Sequence, residues 1–314
     1  MSSPLRVSVV IPTLNRAAVL CETLESLLAI VPADGSVEVR VVDQSSEVEP
    51  EATAKLAAWE QAGRIHHHQV SFRGTTKARN FGALQASGEV IVYLDDDVLL
   101  PPGFIEAHRA AYGDQDLAGV AGGVLHEGEK TIGHDQLTRR QRADLRAGRL
   151  VLFNADFAFP TLWARGCNMS FRREWILRAG GFDENFYGVA VGEEPEFCHR
   201  LRQAGGSLRF VPETRLFHRA VASGGSRDEA RQREGFVAYA DNASYYWWSV
   251  ETRPLRRLTW LFGLAIAMLF NRRIFLSDLW PKHLLWFFIG LRQGLQRHAR
   301  RQPQDAFPFY NSIV

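Results

Sequence analysis

Three consecutive aspartates, Asp95, Asp96 and Asp97, follow the apolar run Val90-Ile91-Val92-Tyr93-Leu94. A run so rich in β-branched and aromatic residues predicts a buried strand, and like charges crowded at its end repel one another. Side chains alternate along extended chain, so Asp95 and Asp97 point the same way and can approach one cation together. A hard divalent metal with oxygen ligands relieves that repulsion, and such ions usually hold substrate phosphates as well. The alternative is a solvated acidic turn leading into a helix that Pro101 and Pro102 open.

The elements that must position these carboxylates alternate in type over the first 125 residues. Val7 to Ile11 predicts a buried strand, Ala17 to Leu28 a helix with apolar residues at helical spacing, and Val37 to Val42 a second strand. Glu51 to Gln61 predicts a helix closed by Gly63, Ile65 to Val70 a weaker strand, and Lys77 to Ala86 a helix that stops at Gly88. Repeated βα units of this length imply an α/β fold with a mainly parallel sheet and right-handed crossovers. Ligands of such sheets bind beyond the carboxyl ends of the strands, where Pro12-Thr13, Asp43 and the three aspartates all fall. Residues 127 to 160 are polar and arginine-rich, an expected excursion from the core. Regular signals return at Gly166 to Phe171, at a helix from Pro195 to Ala204, at a short strand from Leu208 to Val211, and at a helix over roughly Glu229 to Trp248.

With 314 residues, 46% hydrophobic and 23% charged, the chain can bury a full core, and wholesale disorder is excluded. The three cysteines, Cys21, Cys167 and Cys198, are scattered and make no metal spacing or disulfide framework, which suits a reducing compartment. Met1-Ser2-Ser3-Pro4 leads into a strand without an export signal, so cytoplasmic retention is the expectation. The net charge of +2 divides into +9 over Arg253 to Arg301 and −7 elsewhere, a basic tail on an acidic body.

Seven ordered motifs give the chain a family resemblance over about Val7 to His218. They are Val9-Val10-Ile11-Pro12-Thr13-Leu14-Asn15-Arg16, Val41-Val42-Asp43, Ala78-Arg79-Asn80-Phe81-Gly82 and Leu94-Asp95-Asp96-Asp97. Gly166-Cys167-Asn168-Met169-Ser170-Phe171-Arg172-Arg173, Gly180-Gly181-Phe182-Asp183-Glu184 and Gly192-Glu193-Glu194-Pro195-Glu196-Phe197-Cys198-His199-Arg200-Leu201 complete the set. In that order they resemble family 2 of the glycosyltransferases, in particular rhamnosyltransferase-like bacterial members. The resemblance implies the GT-A nucleotide-diphospho-sugar fold, a Rossmann-like sheet flanked by helices with a C-terminal helical tail. It also implies an inverting transferase that uses Mn2+ or Mg2+.

The same resemblance distributes roles. Pro12, Thr13, Asn15 and Arg16 match the nucleotide-binding loop, and Asp43 the carboxylate that bonds the base or ribose. Arg79 matches a basic residue near the diphosphate, and a guanidinium fork suits phosphate oxygens. Asp97 is the foremost metal ligand, Asp95 lies near the ribose or holds the metal through water, and Asp96 joins the nucleotide-binding set. His218 follows a strand where relatives often place a histidine near the metal, whereas His66-His67-His68 gives no ligand geometry and is expected to be structural. The catalytic base is expected from Glu194 or Glu193. With Pro195 at the first helical position, Glu194 is the expected N-cap, at the positive end of the helix dipole. Relatives usually carry aspartate there, which leaves the choice between the two glutamates open. Glu196 is expected to pair with Arg200. Asn168 and the Gly166 backbone match the loop beneath the donor sugar and facing the acceptor, where Trp163 offers a flat apolar surface.

The tail poses a different question. Leu258 to Phe270 is mostly apolar between Arg256-Arg257 and Arg272-Arg273, and as a helix it is about 20 Å long, too short for a roughly 30 Å hydrocarbon core. Five of the eight tryptophans lie between Trp247 and Trp286. Tryptophan beside arginine suits a segment lying at a bilayer surface; a helical bundle on the catalytic domain or a homo-oligomer seam is the alternative. The expected division is a catalytic domain over 1–235 and a membrane-associated helical segment over 236–314. The expected partners are a nucleotide-diphospho-sugar donor and a glycan or lipid-linked acceptor, at the inner face of the cell membrane, with no nucleic acid. No Gln-x-x-Arg-Trp segment of processive synthases is present, which favours single-sugar addition in cell-surface polysaccharide synthesis. A degenerate nucleotide-sugar sensor is the alternative from another class.

Overall fold

A computed structural model describes residues 5–46, 49–148, 150–188, 190–221, 233–270 and 280–301. The expected helix start near Glu229 and the pair Arg272-Arg273 lie outside the described residues. The chain opens with β1 (Val7–Thr13), α1 (Ala17–Leu28), β2 (Val37–Asp43), α2 (Pro50–Gln61), β3 (His66–Gln69), α3 (Thr75–Gln85) and β4 (Val90–Leu94). β5 (Val98–Leu99), α4 (Phe104–Ala111), β6 (Leu117–Leu125), α5 (Arg139–Arg146), β7 (Phe159–Pro160) and β8 (Asn168–Arg172) follow. Then come α6 (Arg173–Arg178), α7 (Glu193–Gln203), β9 (Ser207–His218), α8 (Arg233–Val250), α9 (Pro254–Leu269) and α10 (Trp280–Arg300).

One mixed sheet in the order β3-β2-β1-β4-β8-β6-β9-β5 forms the centre, with β7 pairing β9. β3, β2, β1 and β4 are parallel, as the βα alternation dictates; β8 then enters antiparallel between β4 and β6. Alternation along the strands divides the core into two layers. Val9, Ile11, Val39, Val41, Val92 and Leu94 face Leu20, Leu24 and Phe104 on one side. Val10, Val42, Ile91 and Tyr93 face Ala78, Ala83, Phe182 and Phe197 on the other. On that second side α3 lies close enough to β1 that a Cβ at Gly82 would overlap the Val10 side chain.

Two expectations change. β9 runs on to His218, well past the expected Val211, because the segment around Pro212 is absorbed as a register shift against β6 between Gly122 and Val124. Proline is tolerated in a sheet at such irregularities. The excursion at 127–160 contains α5, whose Thr138 and Gln141 form a reciprocal capping box.

The tail packs rather than dangles. Ala240, Ala243, Leu264, Met268, Leu269 and Phe287 make a small core among α8, α9 and α10. α10 crosses α8 at Gly290 and Gly294: a Cβ on Gly290 would stand 2.5 Å from the Val237 carbonyl oxygen, and one on Gly294 would overlap Ser244 and Asp241. The expected division after residue 235 falls in the first turn of α8, and this helix continues into the catalytic body, where Tyr245 is fully buried against Phe186.

Candidate active site

The sheet brings four strand ends to one opening. β1 ends at Thr13, β2 at Asp43 and β4 at Leu94 before the aspartates, while β9 finishes at His218, paired with Val98. Because β8 is antiparallel, its beginning lies at the same rim: Asn168 pairs with Leu94, which sets Gly166 and Cys167 beside Asp95. Helix α7 points its N-terminus at this opening.

The three aspartates have three environments. Asp96 is buried, accepts a hydrogen bond from the Thr13 hydroxyl at 2.7 Å, and pairs with Arg16 at 2.9 Å. Burial pushes its carboxyl up to about 7 against the pull of Arg16 and Thr13. Asp97 is also buried, with Oδ2 at 3.0 Å from Arg16 and accepting from the Val221 amide, and Oδ1 at 3.0 Å from His218 Nε2. Burial would raise its pKa, but His218 and Arg16 outweigh that and hold it well below the usual carboxylate range. Asp95 has a side chain 38% exposed and stands 3.8 Å from His218 Nε2.

These contacts correct several expected roles. Thr13, Arg16 and Asp96 form an internal brace behind the opening, because a buried carboxylate must be paired. Arg16 and Val221 occupy Asp97 Oδ2, so the carboxylate open to a cation is that of Asp95. Among the described residues, Asp95, Cys167 and His218 each offer a ligand atom, all within 4.8 Å of one another. His218 is only 4% exposed, yet neither ring nitrogen makes a hydrogen bond. A buried imidazole without hydrogen bonds, facing an open carboxylate, fits a divalent cation. Cys167 had no signal in the cysteine spacing; its place beside Asp95 comes from the β4–β8 pairing.

Further along the rim, Asn15 (φ +52°) accepts from the Ser46 amide through Oδ1 at 3.0 Å, and its own amide donates to Ser45 Oγ at 2.7 Å. Half-buried Pro12 precedes this bridge between the loops after β1 and β2. Asp43 bonds the Ser45 amide at 2.9 Å and His67 Nε2 at 3.0 Å. Burial favours its neutral form, but these hydrogen bonds prevail and lower its pKa. His67 thus has a definite partner that only the β2–β3 pairing reveals.

Arg79, the expected diphosphate neighbour, is held by carboxylates at the site. It is 3% exposed, pairs with Glu193 Oε1 at 2.5 Å, lies 3.9 Å from Asp95, and rests over the Phe182 ring. α7 begins at Glu193 with Gly192 as N-cap at φ +97°, so Glu194 lies within the first turn rather than at the cap. Glu194 Oε1 accepts from the Gly166 amide at 3.1 Å, and a Cβ on Gly166 would come within 2.6 Å of that oxygen. Burial, with Glu193, Glu194 and Asp95 around the Arg79 guanidinium, pushes both glutamates above the ordinary carboxylate range, Glu193 to about 8. Buried Glu193 is taken up by Arg79, and Glu194, half-buried, is the member nearer the opening. Glu196 pairs with Arg200 at 2.7 Å as expected.

Asn168 does not face the opening. It is fully buried, donates through Nδ2 to the carbonyls of Gly123 and Thr214 at 2.8 and 2.7 Å, and meets His108 Nε2 at 3.2 Å through Oδ1. Its amide is spent on joining β6, β9 and α4. Half-buried Trp163 packs edge-on against Phe153 at 5.0 Å.

A sheet of this order, with acidic and histidine side chains at its mouth, has the GT-A architecture of nucleotide-sugar transferases. The structure of a mannosyltransferase from Pyrobaculum calidifontis in complex with GDP-Man and Mn2+ matches with a TM-score of 0.55 at 16% identity, over 95% of this chain and 88% of that one. The model of glycosyl transferase family 2 matches residues 8–176, and the chain belongs to that family. Validoxylamine A glucosyltransferase of Streptomyces hygroscopicus subsp. jinggangensis is 32% identical over 221 residues, 63% of this chain and 51% of that protein. The pre-mycofactocin glycosyltransferase of Mycobacterium tuberculosis is 29% identical over 219 residues, 68% of this chain and 42% of that protein. The chain therefore spans about half the length of these curated relatives.

Proposed function

We propose that the protein transfers one hexose or deoxyhexose from a nucleotide-diphosphate donor to a hydroxyl of a glycan or lipid-linked acceptor, with inversion, in cell-surface polysaccharide synthesis. The observation that carries this reading is the meeting, in one opening, of a cation donor set (Asp95 and His218, beside Asp97) with Glu194 held by the Gly166 amide.

In this reading Glu194 takes the proton of the acceptor hydroxyl. The acceptor oxygen bonds the anomeric carbon while the carbon–oxygen bond to the diphosphate breaks and its electron pair leaves with the phosphate. Asp95 and His218 would hold a Mn2+ or Mg2+ ion, which would offset the charge developing on the departing diphosphate. The Asn15–Ser45–Ser46 bridge and Asp43 present the edge on which the nucleoside rests. Arg79 holds Glu193 so that Glu194 faces the acceptor.

The tail supports attachment to the inner face of the membrane, close to a lipid-linked acceptor. α9 exposes Leu255 (77%), Leu258 (62%), Phe262 (74%) and Ile266 (51%) along one stripe, and α10 adds Leu285 and Phe288. No helix among the described residues is long and apolar enough to cross a membrane. Exposed Lys282, and Arg253 and Arg256 sharing the single carboxylate of Glu251, leave a net positive charge beside the stripe. Two copies meeting through this face would oppose like charges, whereas anionic lipid neutralises them.

The test is a thermal-shift screen of nucleotide-sugars with Mn2+, followed by transfer assays on the full chain and on Glu194→Gln. The expected result is donor binding by both proteins, with transfer reduced about 10²–10⁴-fold in the variant. Unchanged transfer would move the base elsewhere. Tight donor binding without hydrolysis or transfer by the unmodified chain would make the protein a sensor.

A further inference from the structure

Cys167 is 3% exposed, at the start of the one antiparallel strand inserted beside β4, and its sulfur shares a 4.8 Å cluster with Asp95 and His218. The His218 ring is buried with both nitrogens lacking a hydrogen bond; Nε2 is 3.0 Å from Asp97 Oδ1 without the alignment of one. His126 closes the other side, edge-on to His218 at 5.1 Å. A carboxylate, an imidazole and a thiol at this spacing form a mixed oxygen, nitrogen and sulfur donor set. Sulfur is a poor ligand for Mg2+ and a good one for borderline cations, so such a set ranks metals by softness.

We propose that Cys167 is a ligand of this site and makes it selective for borderline divalent cations, Zn2+ and Co2+ ahead of Mn2+, with Mg2+ last. The inference rests on the assignment of the divalent ion to this cluster, and it adds the sulfur to that assignment. On binding, the thiol S–H bond breaks, a sulfur–metal bond forms, and the proton passes to solvent.

Co2+ titration of the full chain, in a phosphine reductant, reads the sulfur directly through the thiolate-to-cobalt charge-transfer band in the near ultraviolet. The expected result is a saturable band in the unmodified protein and in Cys21→Ser and Cys198→Ser, absent from Cys167→Ser and Cys167→Ala. Those two variants should bind Co2+ and Zn2+ at least about tenfold more weakly, a scale on which even outer ligand partners count. Mn2+ affinity, measured by its paramagnetic resonance signal, should change less. Co2+ or Mn2+ binding to the unmodified protein without the band, or a band that survives Cys167→Ser, overturns the sulfur ligand while leaving the divalent site standing. No saturable binding of either ion overturns both.

Discussion

Two regions of this protein bury arginine against carboxylate, and they do so in opposite ways. At the sheet mouth, Asp95, Asp96, Asp97, Glu193 and Glu194 gather around two guanidiniums, Arg16 and Arg79, among the described residues. At the seam between the catalytic body and the tail, Asp183, Glu196 and Asp241 meet three, Arg200, Arg297 and Arg301. Tyr245 and Tyr187 hydroxyls donate to Asp183 and Asp241 at 2.6 Å, and Arg297 stacks over both rings. A balanced set of buried charges serves the fold; an unbalanced one leaves negative potential for a cation. The difference makes the mouth the cluster suited to a ligand.

The sharpest way to break this contrast is to remove charge from the mouth. Asp95→Ala should reduce metal-dependent transfer by roughly 10²–10³-fold, the scale of a lost charge-stabilising group, with little change in melting temperature. Asp97→Ala should match it in rate but also destabilise, since Arg16 and Val221 lose their acceptor. Metal-stimulated transfer near the original rate in both variants would refute the mouth as a cation site.

At the seam the order of effects should reverse. Arg301→Ala leaves Asp183 and Glu196 short of a cation and should cost about 2–4 kcal/mol in urea unfolding, somewhat less than for a wholly enclosed pair because Arg301 keeps some exposure. Its kcat should fall far less than that of Asp95→Ala. A stability unchanged by this substitution would show that the balance at the seam is ornamental.

The outer face of the tail should answer to neither assay. Phe262→Ser removes an exposed side chain whose burial in lipid contributes about 1.5–3 kcal/mol, so affinity for anionic vesicles should fall roughly tenfold or more. Transfer to a soluble acceptor should stay as it was. Equal vesicle binding by the original and substituted chains would remove the membrane surface from this face.

The smallest expected effect is in the pH profile. Because Glu193 and Glu194 both sit above the ordinary range, the base is protonated in acid and released only as pH rises. The rate should therefore climb with pH, with an acid-limb midpoint above the ordinary glutamate value. A midpoint at the usual value would mean that burial does not raise the base.

Much of the fold was legible in the chain because it depends on local periodicity. Val90 to Leu94 and Ala17 to Leu28 formed the expected strand and helix to the residue, and the acidic trio fell at a parallel strand end. What local periodicity left out depends mostly on partners distant in sequence. Asn168 sits in a glycine-flanked motif that suggests a sugar loop, yet its amide bonds carbonyls of two other strands. Thr13 and Arg16 sit in one motif, and only the fold shows that Asp96, some eighty residues on, bonds both. Pro195 suggested an N-cap at Glu194, but Gly192, which alone takes the positive φ without strain, starts the helix two residues earlier.

Composition and spacing by themselves determined that a mainly parallel sheet would form, that its strand ends would carry acid, and that a basic aromatic tail would follow. They could do so because alternation, capping and turn chemistry act over a few residues. Which acids are braced and which stay open was decided only in three dimensions. The insertion of one antiparallel strand and the closing of α10 onto α8 through two glycines bring together charges that chain distance keeps apart. Coulomb energy depends on that separation and on burial, and neither is written in local sequence.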